Sequence, residues 1–381
     1  MKKSDLMDLY TDFLTSSPNV ASALVFAKVL DHTFSHDSIT RMLAQPELCQ
    51  KKYWFSIKKL VRQIECSAGI ISIDDFIEHK PHSAENELIS YHYDHTSGQS
   101  KKGINIVSFT YINPLMDNKV KLPIAFELIR KDFTVTKTVK DKRTGKFVEK
   151  KSRKASVGKN EYLRNRLKVL THQNNIVYRY ITFDSWYASS DNLKFIKEDL
   201  KKDFVGAIKD NRQISFDVDK DDKQMQWLSV SKAEIEPNCA YRIRLKKIPF
   251  DLVLVKKVYP NLNGTIGVQY LVSSDTGLDA NNTSTIYSHR WSSEDVHRSL
   301  KQNTALEKMP AKKECSQANH IFASMIALTK LECMKIATKT NHYTLKRNIL
   351  IKALQDAWAQ VQKLKEFCLE KNIQLPNFST A

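Results

Sequence analysis

No apolar run in this chain approaches the roughly 18 to 20 residues that a membrane-spanning helix needs, so a membrane protein is not expected. There is no Cys-x-x-Cys pair. The six cysteines, Cys49, Cys66, Cys239, Cys315, Cys333 and Cys368, are scattered, which argues against a structural zinc site and fits a reducing compartment. The opening MKKSDLMDLY has two lysines, then an aspartate and no apolar core; it does not read as a signal peptide, and a cytoplasmic location is expected. Negative charge is also scarce. Against 60 Lys and Arg stand 42 Asp and Glu, a net charge of +18 with an isoelectric point near 9.4. An excess of this size points to a polyanionic partner, nucleic acid first, with an anionic membrane surface or a ribosomal site as the alternatives. What is present in quantity is apolar side chain, 41% of 381 residues, enough to bury a core in two or three domains.

Residues 1–66 read as helical, with apolar residues at helical spacing over Asp5 to Phe13, Val20 to Leu30, Ser38 to Leu43 and Trp54 to Ile64. Two short helices joined by a tight turn are compatible with a DNA-reading helix-turn-helix, although from these residues alone a helical bundle packed on the main domain is the preferred reading. The period changes at Gly69, where Ile70 to Ile73 form a short strand expected to end at Asp74 and Asp75. A polar loop follows. Its histidines, His79, His82, His92 and His95, match no zinc spacing. A hairpin comes next, Ile104 to Ile112 and Lys121 to Ile129, turning through Asn113 to Asn118. Residues 131–168 hold 14 Lys or Arg against 4 Asp or Glu; within them KDKRTGKFVEKKSRK reads as a mobile basic loop suited to phosphate contact. A helix then leads to the strand Ile176 to Phe183, which ends at Asp184, and to a helix over about Ser190 to Leu200 and a strand, Phe204 to Lys209. Residues 210–285 are β-rich, with turn signals at Pro237, Pro249 and Asn261 to Gly264. The chain closes with two amphipathic helices, 316–338 and 343–368, whose flank suits DNA or a second subunit, and a frayed tail.

The stretch YSHRWSSEDVHRSLK places Tyr287, Arg290, Glu294 and Lys301 at steps of 3, 4 and 7 residues. On a continuous helix they fall within about 60° of one another. One face then carries a carboxylate between two cations, able to hold a metal through Glu294 while Arg290 and Lys301 grip phosphates.

The pattern Y-x2-R-x3-E-x6-K resembles the signature of bacterial insertion-sequence DDE transposases of the YREK type, the insertion-sequence-four-like group. His289 and Trp291 beside Arg290, and His297 after the glutamate, extend the likeness. The text F-D-S-W-Y at 183–187 is similar to that around the family's second carboxylate. The resemblance implies an α/β fold: a ribonuclease H-like core with a mixed sheet, a β-rich insertion before the last catalytic helix, and helical N- and C-terminal regions. The implied divisions are 1–66 for DNA binding, 67–209 and 286–330 for the core, 210–285 for the insertion and 331–381 for a helical region suited to dimerisation. It implies Asp184 and Glu294 as catalytic metal ligands with one of the first pair, Asp75 preferred and Asp74 close behind, Phe76 standing where threonine is common. Tyr287, Arg290, Lys301 and His297 would hold the DNA end. Trp227, in the insertion, either stacks on a flipped base or fills the insertion's core. Clustered carboxylates repel one another unless cations neutralise them, and hard oxygen ligands suit two Mg2+ or Mn2+ ions. The implied reaction is cleavage at transposon terminal repeats and strand transfer into target DNA, cut-and-paste through hairpin ends, by a homodimer. The alternatives are an inactive DNA-binding descendant and a two-metal nuclease.

Overall fold

A computed structural model describes residues 3–17, 20–94, 97–116, 120–140, 145–220, 223–260, 264–373 and 375. His95, part of the turn after Asn113, the middle of the basic stretch at 141–144, the turn at 261–263 and most of the tail lie outside the described residues.

The chain opens with four helices, α1 (Lys3–Ser16), α2 (Ala23–Val29), α3 (His36–Leu43) and α4 (Gln50–Ile64). Ser22 and Ser35 cap α2 and α3 by accepting the amides of Val25 and Ser38. The apolar faces go to two places. Tyr10, Phe13, Leu14, Phe26 and Ile39 form a core with Ala323 and Ala327 of a later helix, whereas Tyr53, Trp54, Ile57 and Val61 of α4 join the main core beneath the sheet.

The sheet is built from β1 (Ile70–His79), β2 (Ser90–Asp94), β3 (Gln99–Asn113), β4 (Val120–Ile129), β7 (Tyr180–Phe183), β8 (Asp203–Ile208), β9 (Gln213–Ser215), β10 (Leu228–Ser229), β11 (Ala240–Leu245), β12 (Asp251–Pro260) and β13 (Ile266–Ser273). Their order is β10-β9-β11-β12-β13-β8-β7-β1-β3-β2, with β4 also on β3. β1, β7 and β8 are mutually parallel; the hairpin β3–β4 and the strands beyond β8 run antiparallel. This mixed sheet, with helices at both ends of the chain, is the ribonuclease H-like architecture expected. Strands β9–β13 do not form a sheet of their own: β13 pairs with β8 and extends the core's sheet sideways.

The other elements are β5 (Phe133–Lys140) and β6 (Phe147–Lys154), then α5 (Lys159–Lys168), widened at its end by a π turn, and α6 (Ser190–Lys194), widened likewise. After β13 come α7 (Ala280–Ser288), α8 (Trp291–Asn303), α9 (Glu314–Thr338) and α10 (His342–Glu370).

Three expectations are corrected. Where it is described, the basic stretch is strand and not loop: β5 and β6 pair in full register as a two-stranded ribbon, because the threonines and valines of these strands favour extended backbone, and Gly145, two residues before β6, takes the left-handed conformation at φ 68°. β1 does not stop at its aspartates but runs to His79, since β3 continues alongside it. Tyr287 to Lys301 is not one helix. Between α7 and α8 the amides of Arg290 and Ser293 reach back three residues, to Tyr287 and Arg290 carbonyls, at 2.9 and 3.0 Å, a tighter turn than an α-helix makes.

Candidate active site

The parallel pairing of β1 with β7 ends at Ile73 opposite Phe183. The next residue on each strand is therefore an aspartate, Asp74 and Asp184, side by side at the edge of the parallel register. The Phe183 ring lies over Gly206 of β8, where a Cβ would stand 2.2 Å from the phenyl ring. After Asp184 the chain folds back on itself. The Asp184 carboxylate accepts the amide of Trp186 at 2.9 Å, and Ser189 caps α6.

Helix α8 brings the third carboxylate. Its start is pinned to β1, where Ser72 Oγ donates to the Arg290 carbonyl at 3.3 Å and Ser293 Oγ donates to Ser72 Oγ at 2.8 Å. Arg290 then lies between two acids, its guanidinium 2.9 Å from Glu294 Oε1 and 3.5 Å from Asp74 Oδ2. Its plane sits over the rings of Trp291 and Tyr287, at 4.8 and 5.9 Å.

Asp74 and Asp75 have different surroundings because successive strand residues face opposite sides of the sheet. Asp75 accepts three bonds, from Asn105 Nδ2, Lys159 Nζ and Tyr187 Oη, each at 2.7 Å. Burial pulls its pKa upward, but Lys159 and these donors outweigh it and the carboxyl is held below its usual range. Asp74 has no such set of donors. Burial pushes its pKa up to about 7; Arg290 opposes the shift, and Asp184 and Asp75 add to it. Asp184 is also raised, by burial first.

The remaining expected residues are distributed as follows. Tyr287 is buried under β13 and accepts a bond from Gln269 Nε2 at 3.1 Å. Lys301 sits two turns along α8 from Glu294, 3.1 Å from Glu307 and 5.7 Å from the centre of the Phe76 ring. His297, expected among the DNA contacts, is buried. It shares a 2.6 Å hydrogen bond with Ser108 and packs 4.2 Å from the Phe76 ring, and burial lowers its pKa to about 3. As a neutral imidazole between α8 and β3 it supports the helix rather than facing solvent. Trp227 is half-buried under Lys246, just before β10, and five strands separate β10 from β7 in the sheet. The structure does not bring it to the acids.

Tyr187, Asn105 and Lys159, which hold Asp75, were not anticipated. Neither was Trp186, 45% exposed beside Asp184, with Lys159 and Lys209 each 5.9 Å from its ring centre. The available signal was the aromatic pair directly after a strand-ending aspartate.

Two family models match the chain: one described as DDE superfamily endonuclease, over residues 2–225, and one described as Transposase DDE domain, over residues 137–330. The chain belongs to the DDE superfamily. The two matches overlap on the segment that carries Asp184, the first also covers Asp74 and Asp75, and the second covers Glu294. No curated protein matches the chain. DDE transposases act on DNA and generally use divalent metal ions. The residues of this DDE protein fit such an ion in donor chemistry. Asp74, Asp184 and Glu294 offer hard oxygens, and Asp184 and Asp75 both add to the upward shift that burial gives Asp74, a crowding of carboxylates that a cation would relieve. Glu294 is engaged by Arg290, and among the described residues no three His, Cys, Asp or Glu side chains are close enough to hold an ion. Among them, too, no helix is long and apolar enough to cross a membrane.

Proposed function

We propose that this DDE protein is an insertion-sequence transposase of the YREK type, cutting at the ends of its element and joining them to target DNA in the bacterial cytoplasm, at the nucleoid. The observation that carries the reading is the placement of Asp74 and Asp184 on adjacent parallel strands with Glu294 linked to Asp74 through Arg290. In this reading Asp74, Asp184 and Glu294 hold Mg2+ or Mn2+, two ions in all. The ions, when bound, supply activation of water or a 3′-hydroxyl and stabilisation of the leaving oxygen. Asp75 keeps its charge for Lys159 and, through Tyr187, ties β1 to the turn after Asp184; it is a positioning residue, in place of the preference for it as ligand that the sequence suggested.

Arg290 presents a forked cation suited to a phosphate oxygen, held flat by Trp291 and Tyr287. Lys301 extends the cationic line along α8. Trp186 and Trp291, 45% and 57% exposed, stand next to the acids and support base stacking there for a hairpinned end, a role that suits them better than Trp227. Helices α1–α3 are the proposed reader of the terminal repeat, and α10 the proposed contact between two protomers that pair the ends.

The test is cleavage and strand transfer with Mg2+ on DNA carrying the element's own terminal repeats, for the wild type and for Glu294→Ala. Cleavage at the repeat ends that disappears in the variant while binding persists is the expected result. Equal activity in both removes Glu294 from the site and ends this reading. Tight binding without cutting in either points to an inactive descendant.

A further inference from the structure

We infer that the β5–β6 ribbon is a DNA-gripping arm that enters the major groove of duplex DNA leading into the active site. This rests on the transposase reading for its substrate. The ribbon pairs from Phe133 with Lys154 to Lys140 with Phe147 and belongs to a separate two-stranded sheet. β5 is exposed along almost its whole length, and among the described residues of β6 only Ser152 and Arg153, near the root, are half-buried. A bare two-stranded ribbon is marginally stable in water. This one is fastened at its root, where the Asp132 carboxylate accepts the Ser156 amide at 2.8 Å and its hydroxyl at 2.5 Å.

The root adjoins the acids. The ribbon leaves β4 at one end and returns into α5 at the other, and the first residue of α5, Lys159, is paired with Asp75. DNA held by the ribbon would therefore run on toward Asp74 and Asp184. Alternation along the strands gives the two faces different chemistry. One face aligns Thr134, Thr136 and Thr138 with Arg153, Lys151 and Glu149 on the facing strand: small hydroxyls opposite two cations and one acid, with Arg153 at the root also donating to the Lys131 carbonyl at 3.3 Å. Such residues hydrogen-bond base edges, arginine and lysine favouring guanine O6 and N7. Lys137, Lys140 and Lys154 are exposed around the ribbon, at positions to meet the phosphates that border a groove. Size agrees as well. Eight residues of strand extend about 26 Å, and a two-stranded ribbon fits a major groove about 12 Å wide. Charge complementarity selects the occupant, since the two strands carry six Lys or Arg against one Glu.

The experiment uses the full chain and a duplex carrying the element's terminal repeat with flanking sequence. In the wild-type complex, guanines on one side of the cleavage site should be protected from methylation at N7, a major-groove atom. A variant with Lys137→Gln, Lys140→Gln, Lys151→Gln and Lys154→Gln should lose that protection. The slope of its log affinity against log salt should be shallower by about 3, at about 0.9 for each of the three lost phosphate contacts. Unprotected guanines in a wild-type complex that still cleaves would overturn the arm alone, whatever the variant does, as would an unchanged salt slope in a variant with the wild-type melting temperature. Failure of the wild type to bind its own ends would overturn the arm together with the transposase reading.

Discussion

At Asp74 the side chain turns toward α8 and Arg290, and at Asp75 toward Tyr187 and Lys159; a single step along β1 separates two different surroundings. Asp74→Asn should reduce cleavage about a thousandfold or more, in the range expected when a charged group that acts on the transition state is lost, with DNA binding kept. Asp75→Asn should instead lower the melting temperature, because Lys159 loses its partner, and reduce activity by about 10 to 100-fold. Tyr187→Phe should give the smaller activity loss with little change in melting temperature. Measuring single-turnover cleavage beside thermal unfolding for all three separates the roles. If Asp75→Asn abolishes cleavage and leaves stability intact while Asp74→Asn cleaves normally, the assignment reverses. The sequence pattern placed both aspartates at a strand end and preferred Asp75, whereas the proposed reading takes Asp74, because nothing in a linear Asp-Asp pair says which side of a sheet faces the last helix. Asp184 was easier to place, a carboxylate between a strand and a capped helix. The donors to Asp75 were hidden because they come from three distant segments.

Among the elements, the docking of α1 on α9 turns on one buried imidazole. Tyr10 Oη donates to His320 Nδ1 at 2.9 Å, and His320 Nε2 donates to the Leu306 and Ala305 carbonyls at 3.0 and 3.2 Å. These bonds define a neutral ring, and burial lowers its pKa to about 4 from 6.5, with Lys80 adding to the effect. Between those pH values the unfolded chain takes up a proton that the folded chain refuses. The stability from the neutral ring is complete above pH 6.5 and is lost as pH falls through about 4, a contribution of up to about 3 kcal/mol. Denaturant unfolding at pH 7 and pH 4.5 should show His320→Gln less stable than the wild type at pH 7, with a smaller loss on acidification. Identical losses in both proteins would assign the acid sensitivity to other groups. The helices of this region were legible from their apolar period, since that period records burial directly. The ribbon was not: a pattern dominated by lysine reads as a solvated loop, and the pairing of Phe133–Lys140 with Phe147–Lys154 is set by register, which composition does not reveal.

Over the whole molecule, the strands of 210–285 were visible one by one, but their union with the core sheet through β13 and β8 depends on pairing across some 60 residues of chain and leaves no local mark. The molecule's other large feature is what it leaves bare. α10 runs 29 residues, about 43 Å, and only Lys346 along it is buried. Leu350, Leu354, Ala357, Val361, Leu364 and Cys368 recur at alternating steps of four and three, the seam of a two-helix coiled coil. Leu354, Trp358 and Leu364 are 68%, 67% and 63% exposed, an apolar stripe that a single copy leaves in water. The same helix of a second copy matches it in length and chemistry, and in the proposed reading two protomers pair the two ends. Leu354→Glu with Val361→Glu should therefore convert a dimer to a monomer in sedimentation at micromolar concentration. The melting temperature of the core should hold, because these side chains face solvent in one copy, and single repeat ends should still bind while the paired-end complex is lost. A wild type that stays monomeric, both free and on end DNA, would show that α10 does not join protomers.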